Sequence, residues 1–171
     1  MKKLLVIFSF FVMLAFVFPV NAQTNVKLGY IDSNELLELM PGKDSVERKL
    51  MEYQTSLETQ IQNMYAEYQT KANDYRANAA TMSDIIKQTK EKEILDLEER
   101  ISTFQQTAEV DFQNKQQELY NPLIEKARKA IKDVADENGY TYIFDSGMGS
   151  LLYFERGDNI LPLVKQKLGI Q

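Results

Sequence analysis

Residues 43–121 read KDSVERKLMEYQTSLETQIQNMYAEYQTKANDYRANAATMSDIIKQTKEKEILDLEERISTFQQTAEVDFQNKQQELYN, a run without glycine or proline, fenced by Pro41-Gly42 before it and Pro122 after it. Its residues are those that hold a helix with little tertiary help: Glu, Gln, Lys, Ala, Leu and Met. Apolar or small side chains return at Leu50, Tyr53, Leu57, Ile61, Met64, Tyr68, Ala72, Tyr75, Ala79 and Met82. The steps mix threes and fours and average close to 3.6, the period of a nearly straight helix with weak supercoiling.

The seam fades over residues 78–84, where Thr81 with Asp84, or Ser83 alone, can cap a new helix. Compatible spacing resumes through Ile94, Leu97, Ile101, Phe104, Ala108, Phe112, Leu119, Leu123, Ala127, Ile131 and Val134. A hairpin folded at residue 82 brings Lys43 beside Asn121 and keeps both breakers at one end. Each limb, at about 1.5 Å per residue, reaches nearly 60 Å. The rival arrangement is one uninterrupted rod, which leaves the seam without an intramolecular partner. Pro122 falls inside the second helical pattern, where it removes a hydrogen bond and predicts a kink and hinge.

Outward from the arm, Val26-Lys27-Leu28-Gly29-Tyr30-Ile31 alternates as a first strand, with Val26, Leu28 and Tyr30 on one face. Asp32 and Glu35 have capping-box spacing ahead of a short helix that Pro41-Gly42 ends, and Asp44 with Glu47 repeats the spacing, placing the start of the long helix at Ser45. After Asn138-Gly139, a helix C-terminal signal, Thr141–Asp145 and Leu151–Phe154 read as two strands apolar on both faces. A last helix is capped by Asp158 or Asn159, tolerates Pro162 in its first turn and stops at Gly169. Three short strands make a poor core alone, so the body is expected to be completed by other copies of the chain.

Lys2 and Lys3 precede an apolar run from Leu4 to Val20, and Val20-Asn21-Ala22 supplies the small residues of a signal-peptide cleavage site before Gln23. An uncleaved anchor is the alternative; the short run and the small residues favour cleavage. Without Lys2 and Lys3, 18 basic residues face 25 acidic ones, a formal charge of −7. Such a chain is not an obvious nucleic-acid binder. Cysteine and histidine are absent, which removes disulfides, the usual general base and the commonest metal ligands. Asp96, Glu98 and Glu99 diverge on a helix and read as a solvated face. Gly147-Met148-Gly149 lacks the lysine and following helix of a phosphate loop. No catalytic, cofactor or metal site is expected.

The two ends, VKLGYIDSNELLELMPGKDSVERKL before the arm and AIKDVADENGYTYIFDSGMGSLLYFERGDNILPLVKQKL after it, together resemble the Skp (OmpH) family of periplasmic chaperones. Specific points are Gly29-Tyr30-Ile31-Asp32, the break at Gly42-Lys43, Glu137-Asn138-Gly139-Tyr140, Leu152-Tyr153 and Asp158-Asn159-Ile160. The arm matches in length and type only. The resemblance implies an α+β, mostly α fold: a small β body completed by trimerisation, with a coiled-coil tentacle inserted between the first strand and the C-terminal strands. It implies a signal peptide at 1–22, a body from 23–42 and 122–171, and an arm from 43–121 with its tip near 78–84. The function implied is ATP-independent holding of unfolded outer-membrane proteins in a cavity between the arms of a homotrimer in the periplasm. An envelope scaffold that binds one folded partner is the competing class.

The resemblance implies basic arms, as in its better-known members, whereas this one carries 9 basic and 13 acidic residues between Glu47 and Lys115. That weakens any expectation of contact with a membrane surface or lipopolysaccharide. Only the tip is locally positive, through Lys71, Arg76, Lys87, Lys90 and Lys92, an excess screened within about 8 Å at physiological salt. A holdase needs exposed, adaptable apolar surface. Candidates for client contact are first the off-seam Met51, Tyr65, Ile86, Leu95 and Tyr120, and then the seam residues Tyr53, Met64, Tyr68, Tyr75 and Met82, for which packing of the hairpin is the favoured role. Val26, Leu28, Tyr30, Ile143, Phe144, Leu152 and Phe154 are assigned to the body and its trimer contacts, and Pro122 to a hinge.

Overall fold

The computed structural model describes residues 26–154 and 156–170. The expected leader and its cleavage point lie outside that range. Strand β1 (Leu28–Ile31) leads into helix α1 (Ser33–Leu39), helix α2 (Lys43–Asn78), a 3₁₀ turn (Ala79–Thr81) and helix α3 (Asp84–Asn138). Strands β2 (Tyr142–Asp145) and β3 (Asp158–Asn159) and helix α4 (Leu161–Leu168) complete the chain. Helices α2 and α3 form an antiparallel hairpin between β1 and β2, so the arm is a greatly lengthened crossover within a parallel strand pair.

Capping chemistry sets the helix boundaries. Asp32 accepts from the amides of Asn34 and Glu35 at 2.9 and 3.0 Å and starts α1. Helix α2 begins at Lys43, two residues before the position read from Asp44 and Glu47. Its N-cap is Gly42 at φ 100°, a left-handed conformation in which no side chain caps the helix. The turn itself, then, and not a capping box, starts the long helix. Lys43 bridges Glu38 and Glu47 at 2.9 and 2.6 Å across that corner, and these carboxylates hold its ammonium pKa above the usual lysine value. At the tip Ser83 caps α3 through the amide of Ile86, at 3.5 Å. Gly139 at φ 70° ends α3, and Gly169 at φ 71° ends α4. Pro122 lies inside α3, and the helix continues on both sides of it.

The sheet order is β2-β1-β3, all parallel, with Gly29 opposite Ile143 and Asp158, and Tyr30 opposite Phe144 and Asn159. One sheet face carries Gly29, Ile31 and Ile143 and is covered by Leu36 of α1, Ala130 and Val134 of α3, and Ile160, Leu161 and Val164 around α4. Burying side chains such as Leu36, Ile160 and Val164 stabilises the fold by about 1.5–3 kcal/mol each. Gly29 is needed for this closeness, since a Cβ there would meet Ile160 Cγ2 at 3.0 Å and the Tyr140 ring at 3.2 Å.

Two strand expectations are corrected. Leu151–Phe154 is not a strand; the second partner of β1 is the polar pair Asp158–Asn159. Apolar composition alone does not make a ladder: β1 is paired on both edges, by β2 and β3, and Leu151–Phe154 lies outside the sheet. One local and one long-range bond fix β3: Asn159 Oδ1 accepts from the Leu161 amide at 2.9 Å, and Ile160 N donates to Tyr30 O at 3.0 Å. Secondly, β2 is not covered on two sides, because Tyr142 and Phe144 face outward and are exposed.

Candidate functional site

Three features could meet another molecule: the arm, the open face of the sheet and the loop that follows β2. In the arm, every seam position read from the sequence is buried or half-buried. Met64, Leu97 and Ile101 form its tightest layer, flanked by Tyr68 and Phe104. The seam tyrosines are committed across the limbs. Tyr53 Oη donates to Asp111 Oδ2 at 2.7 Å, and Tyr75 Oη donates to Glu91. Both phenol pKa values rise because the hydrogen-bonded carboxylate opposes a second negative charge. Met82 is half-buried at the tip.

Of the off-seam candidates, Met51, Tyr65, Ile86 and Leu95 are exposed, while Tyr120 is half-buried. Tyr65 Oη accepts from Gln105 Nε2 at 3.2 Å and keeps its ring on the surface. They are not gathered in one pocket. The cross-limb partners Tyr53–Asp111 and Tyr75–Glu91 fix the register, so Met51 and Tyr120 lie toward the body, Tyr65 and Leu95 along the middle and Ile86 at the tip. Two further exposed residues were missed: Ile85, 77% exposed, and Val110, 57% exposed. Both lie off the 3.6-residue seam, which was the available signal.

The positive excess at the tip is largely tied up. Lys71 pairs with Glu93 at 3.1 Å and Lys90 with Asp74 at 3.2 Å, both across the hairpin, and Lys87 lies 3.9 Å from Asp84. These charges register the limbs against each other.

The sheet face opposite the core carries Leu28, Tyr30, Tyr142 and Phe144. Tyr30 packs against Phe154 with ring centroids 4.6 Å apart, and Tyr142 stacks on Phe144 at 6.3 Å. Beside them, Leu151, Phe154 and Gly157 help line a cleft of about 300 Å³. Leu152 is 97% exposed, and Val26 and Tyr153 are exposed as well. Of the residues assigned to the body, Ile143 packs against the chain's own core, while Val26, Leu28, Tyr30, Phe144, Leu152 and Phe154 fall outside it.

The loop after β2 is pinned by Asp145, which accepts from Ser33 Oγ at 2.5 Å, Ser33 N at 3.2 Å and Gly147 N at 2.9 Å. Burial pushes its pKa up, but the three hydrogen bonds outweigh burial and the net shift is downward. Gly147 fits tightly there; a Cβ would meet Asp32 Oδ1 at 2.4 Å. Among the described residues no three His, Cys, Asp or Glu side chains gather to hold a metal ion, and no helix is long and apolar enough to cross a membrane.

Residues 27–168 match the model of the family described as "Outer membrane protein (OmpH-like)". The chain is 27% identical over 168 residues to Chaperone protein Skp of Photorhabdus laumondii, covering 98% of this chain and 99% of that protein. It is 26% identical over 120 residues to Chaperone protein Skp of Yersinia enterocolitica, covering 70% and 73% of the two chains. The crystal structure of an OmpH-like protein from Caulobacter crescentus superposes with a TM-score of 0.69 at 11% identity, over 84% of this chain and 83% of that one, and shares the fold. Spanning the strand body, the whole helical hairpin and the last helix, the match establishes that this chain belongs to the OmpH-like family.

Proposed function

We propose that the protein is an ATP-independent holdase that shields unfolded outer-membrane proteins in the periplasm before membrane insertion, after cleavage of its leader following Ala22. The observation that carries this reading is the division of labour along the arm. A continuous seam satisfies the hairpin's own packing, while Met51, Tyr65, Ile85, Ile86, Leu95 and Val110 remain exposed at intervals along it. Spaced, adaptable apolar contacts suit clients of many sequences, each contact being weak enough to release. The Skp relatives that match over most of the chain are named chaperones, which supports the same reading.

The body supports a trimeric reading. An apolar sheet face bearing Leu28, Tyr142 and Phe144 in the open is costly in water, and heterologous pairing that closes a ring of three copies would remove it from solvent. Three bodies joined through this face would hang three arms around a shared space, with 23–42 and 122–171 as the body, 43–121 as the arm and Pro122 as the hinge.

The test is dilution of a urea-unfolded β-barrel protein into buffer with and without this protein, followed by light scattering. Suppression at a small excess of trimer is expected; aggregation at the rate of the client alone would refute the holdase reading.

A further inference from the structure

The arm is not equally closed along its length. Toward the tip the layer of Met64, Leu97 and Ile101 is buried. Nearer the body, Leu57 and Ile61 of α2 face Phe104, Ala108 and Phe112 of α3, and all five remain half-buried beside a groove of about 380 Å³. Both stripes step by four residues, so the groove runs along the hairpin as an apolar trough about two turns long.

Its charged rim consists of Glu58 and Glu109. Glu58 accepts from Gln54 Nε2 at 2.9 Å and Glu109 from Gln113 Nε2 at 3.0 Å, both neutral donors. Neither carboxylate forms an ion pair among the described residues, and the arm's Lys71, Lys90 and Lys115 are paired with other carboxylates, Glu93, Asp74 and Glu118. Two uncompensated negative charges therefore flank an apolar floor. The mature chain's acidic balance adds a long-range field of the same sign.

We propose that this groove binds segments of unfolded polypeptide in which an apolar or aromatic side chain is flanked by lysine or arginine, a substrate class that rests on the holdase reading above. The apolar side chain fills the trough, and the flanking cations pair with Glu58 and Glu109. Segments flanked by Asp or Glu meet like charges at both rims and are disfavoured. This arm therefore sorts client segments by charge as well as by apolar content.

Fluorescent peptides with one apolar core and Lys, Gln or Glu flanks, titrated with the full mature protein and read by anisotropy, test this directly. At low salt the Lys-flanked peptide is expected to bind about threefold to tenfold more tightly than the Glu-flanked one, as two partly exposed ion pairs allow. High salt should bring that ratio toward one. The E58Q/E109Q double variant should do the same with an unchanged thermal melt, whereas D96N/E99Q, which removes equal charge elsewhere on the arm, should leave the ratio intact. Equal or tighter binding of the Glu-flanked peptide, or a ratio indifferent to E58Q/E109Q, overturns the proposal. So does an inter-chain disulfide formed readily by Ala108→Cys, which assigns the groove to a second copy. Peptides that fail to bind while aggregation of a urea-unfolded protein is still suppressed overturn the groove and spare the holdase; failure of both measurements removes both.

Discussion

Leu95 and Leu97 are the same residue two positions apart on α3, and their substitution by alanine should separate stability from client capture. Leu97 is 2% exposed and packs with Met64 and Ile101, whereas Leu95 is 63% exposed. Removing a buried leucine costs its transfer free energy plus the cavity left behind, about 2–5 kcal/mol in closed cores. A two-helix arm has solvent on both sides of its seam and relaxes more easily, which puts Leu97→Ala near the lower end, about 2–3 kcal/mol. Leu95→Ala loses little burial and should change stability by less than about 0.5 kcal/mol. Hydrogen exchange read peptide by peptide is the appropriate assay, because the arm can open while the body stays folded. Leu97→Ala should raise exchange across the middle of both limbs and leave β1, β2 and α4 protected. Leu95→Ala should leave exchange unchanged and weaken capture of an unfolded client. Equal destabilisation by the two substitutions, or protection unaltered in Leu97→Ala, would refute the assignment of seam and surface.

Other outcomes follow from the body. Size exclusion with light scattering should give three times the mature mass for the parent chain, and Phe144→Glu, which charges the open sheet face, should give a folded monomer; a parent chain that is already monomeric refutes the trimer. Asp145→Asn should cost about 1 kcal/mol at neutral pH through weaker acceptance from Ser33 and Gly147. The folded carboxyl is held below its ordinary pKa, so its contribution is complete above the unfolded value near 3.9 and is lost as pH falls through the folded value. The difference between Asp145→Asn and the parent in chemical denaturation should thus vanish in strong acid, and a constant difference would exclude this origin. Gly29→Ala should lower the melting temperature, because its Cβ would press on Ile160 and Tyr140 at 3.0–3.2 Å, an overpacking cost of about 1–3 kcal/mol.

The arm was legible because its code is local. Helix formers without Gly or Pro, a 3.6-residue recurrence and Ser83 at the tip act through neighbours within a few residues, and Leu50, Met64, Leu97, Ile101 and Leu123 are all buried as the period requires. The body was harder because its strand choices are decided at a distance. Leu151–Phe154 has the composition of a strand, yet the partner of β1 is Asp158–Asn159, whose pairing depends on where Ile160 enters the core. Ile143 and Phe144 are indistinguishable by composition; the pleat sends one into the core and the other outward. Off-seam arm residues were only partly found, since Ile85 and Val110 differ from core residues by phase alone.

Side-chain partners, finally, alter what the arm's chemistry means. Tyrosines along a seam suggest a sticky surface when read as composition, but Tyr53 and Tyr75 spend their hydroxyls on Asp111 and Glu91. Lysines near the tip suggest an anion-seeking end, but Lys71 and Lys90 are neutralised across the hairpin by Glu93 and Asp74. With those groups engaged, the surface left to act on other molecules includes exposed aliphatic side chains such as Ile85, Leu95 and Val110, and the carboxylates of Glu58 and Glu109, whose hydrogen-bond donors are neutral. Such an arm offers area to apolar segments and charge to cationic ones, the choice of client proposed for the groove between Glu58 and Glu109.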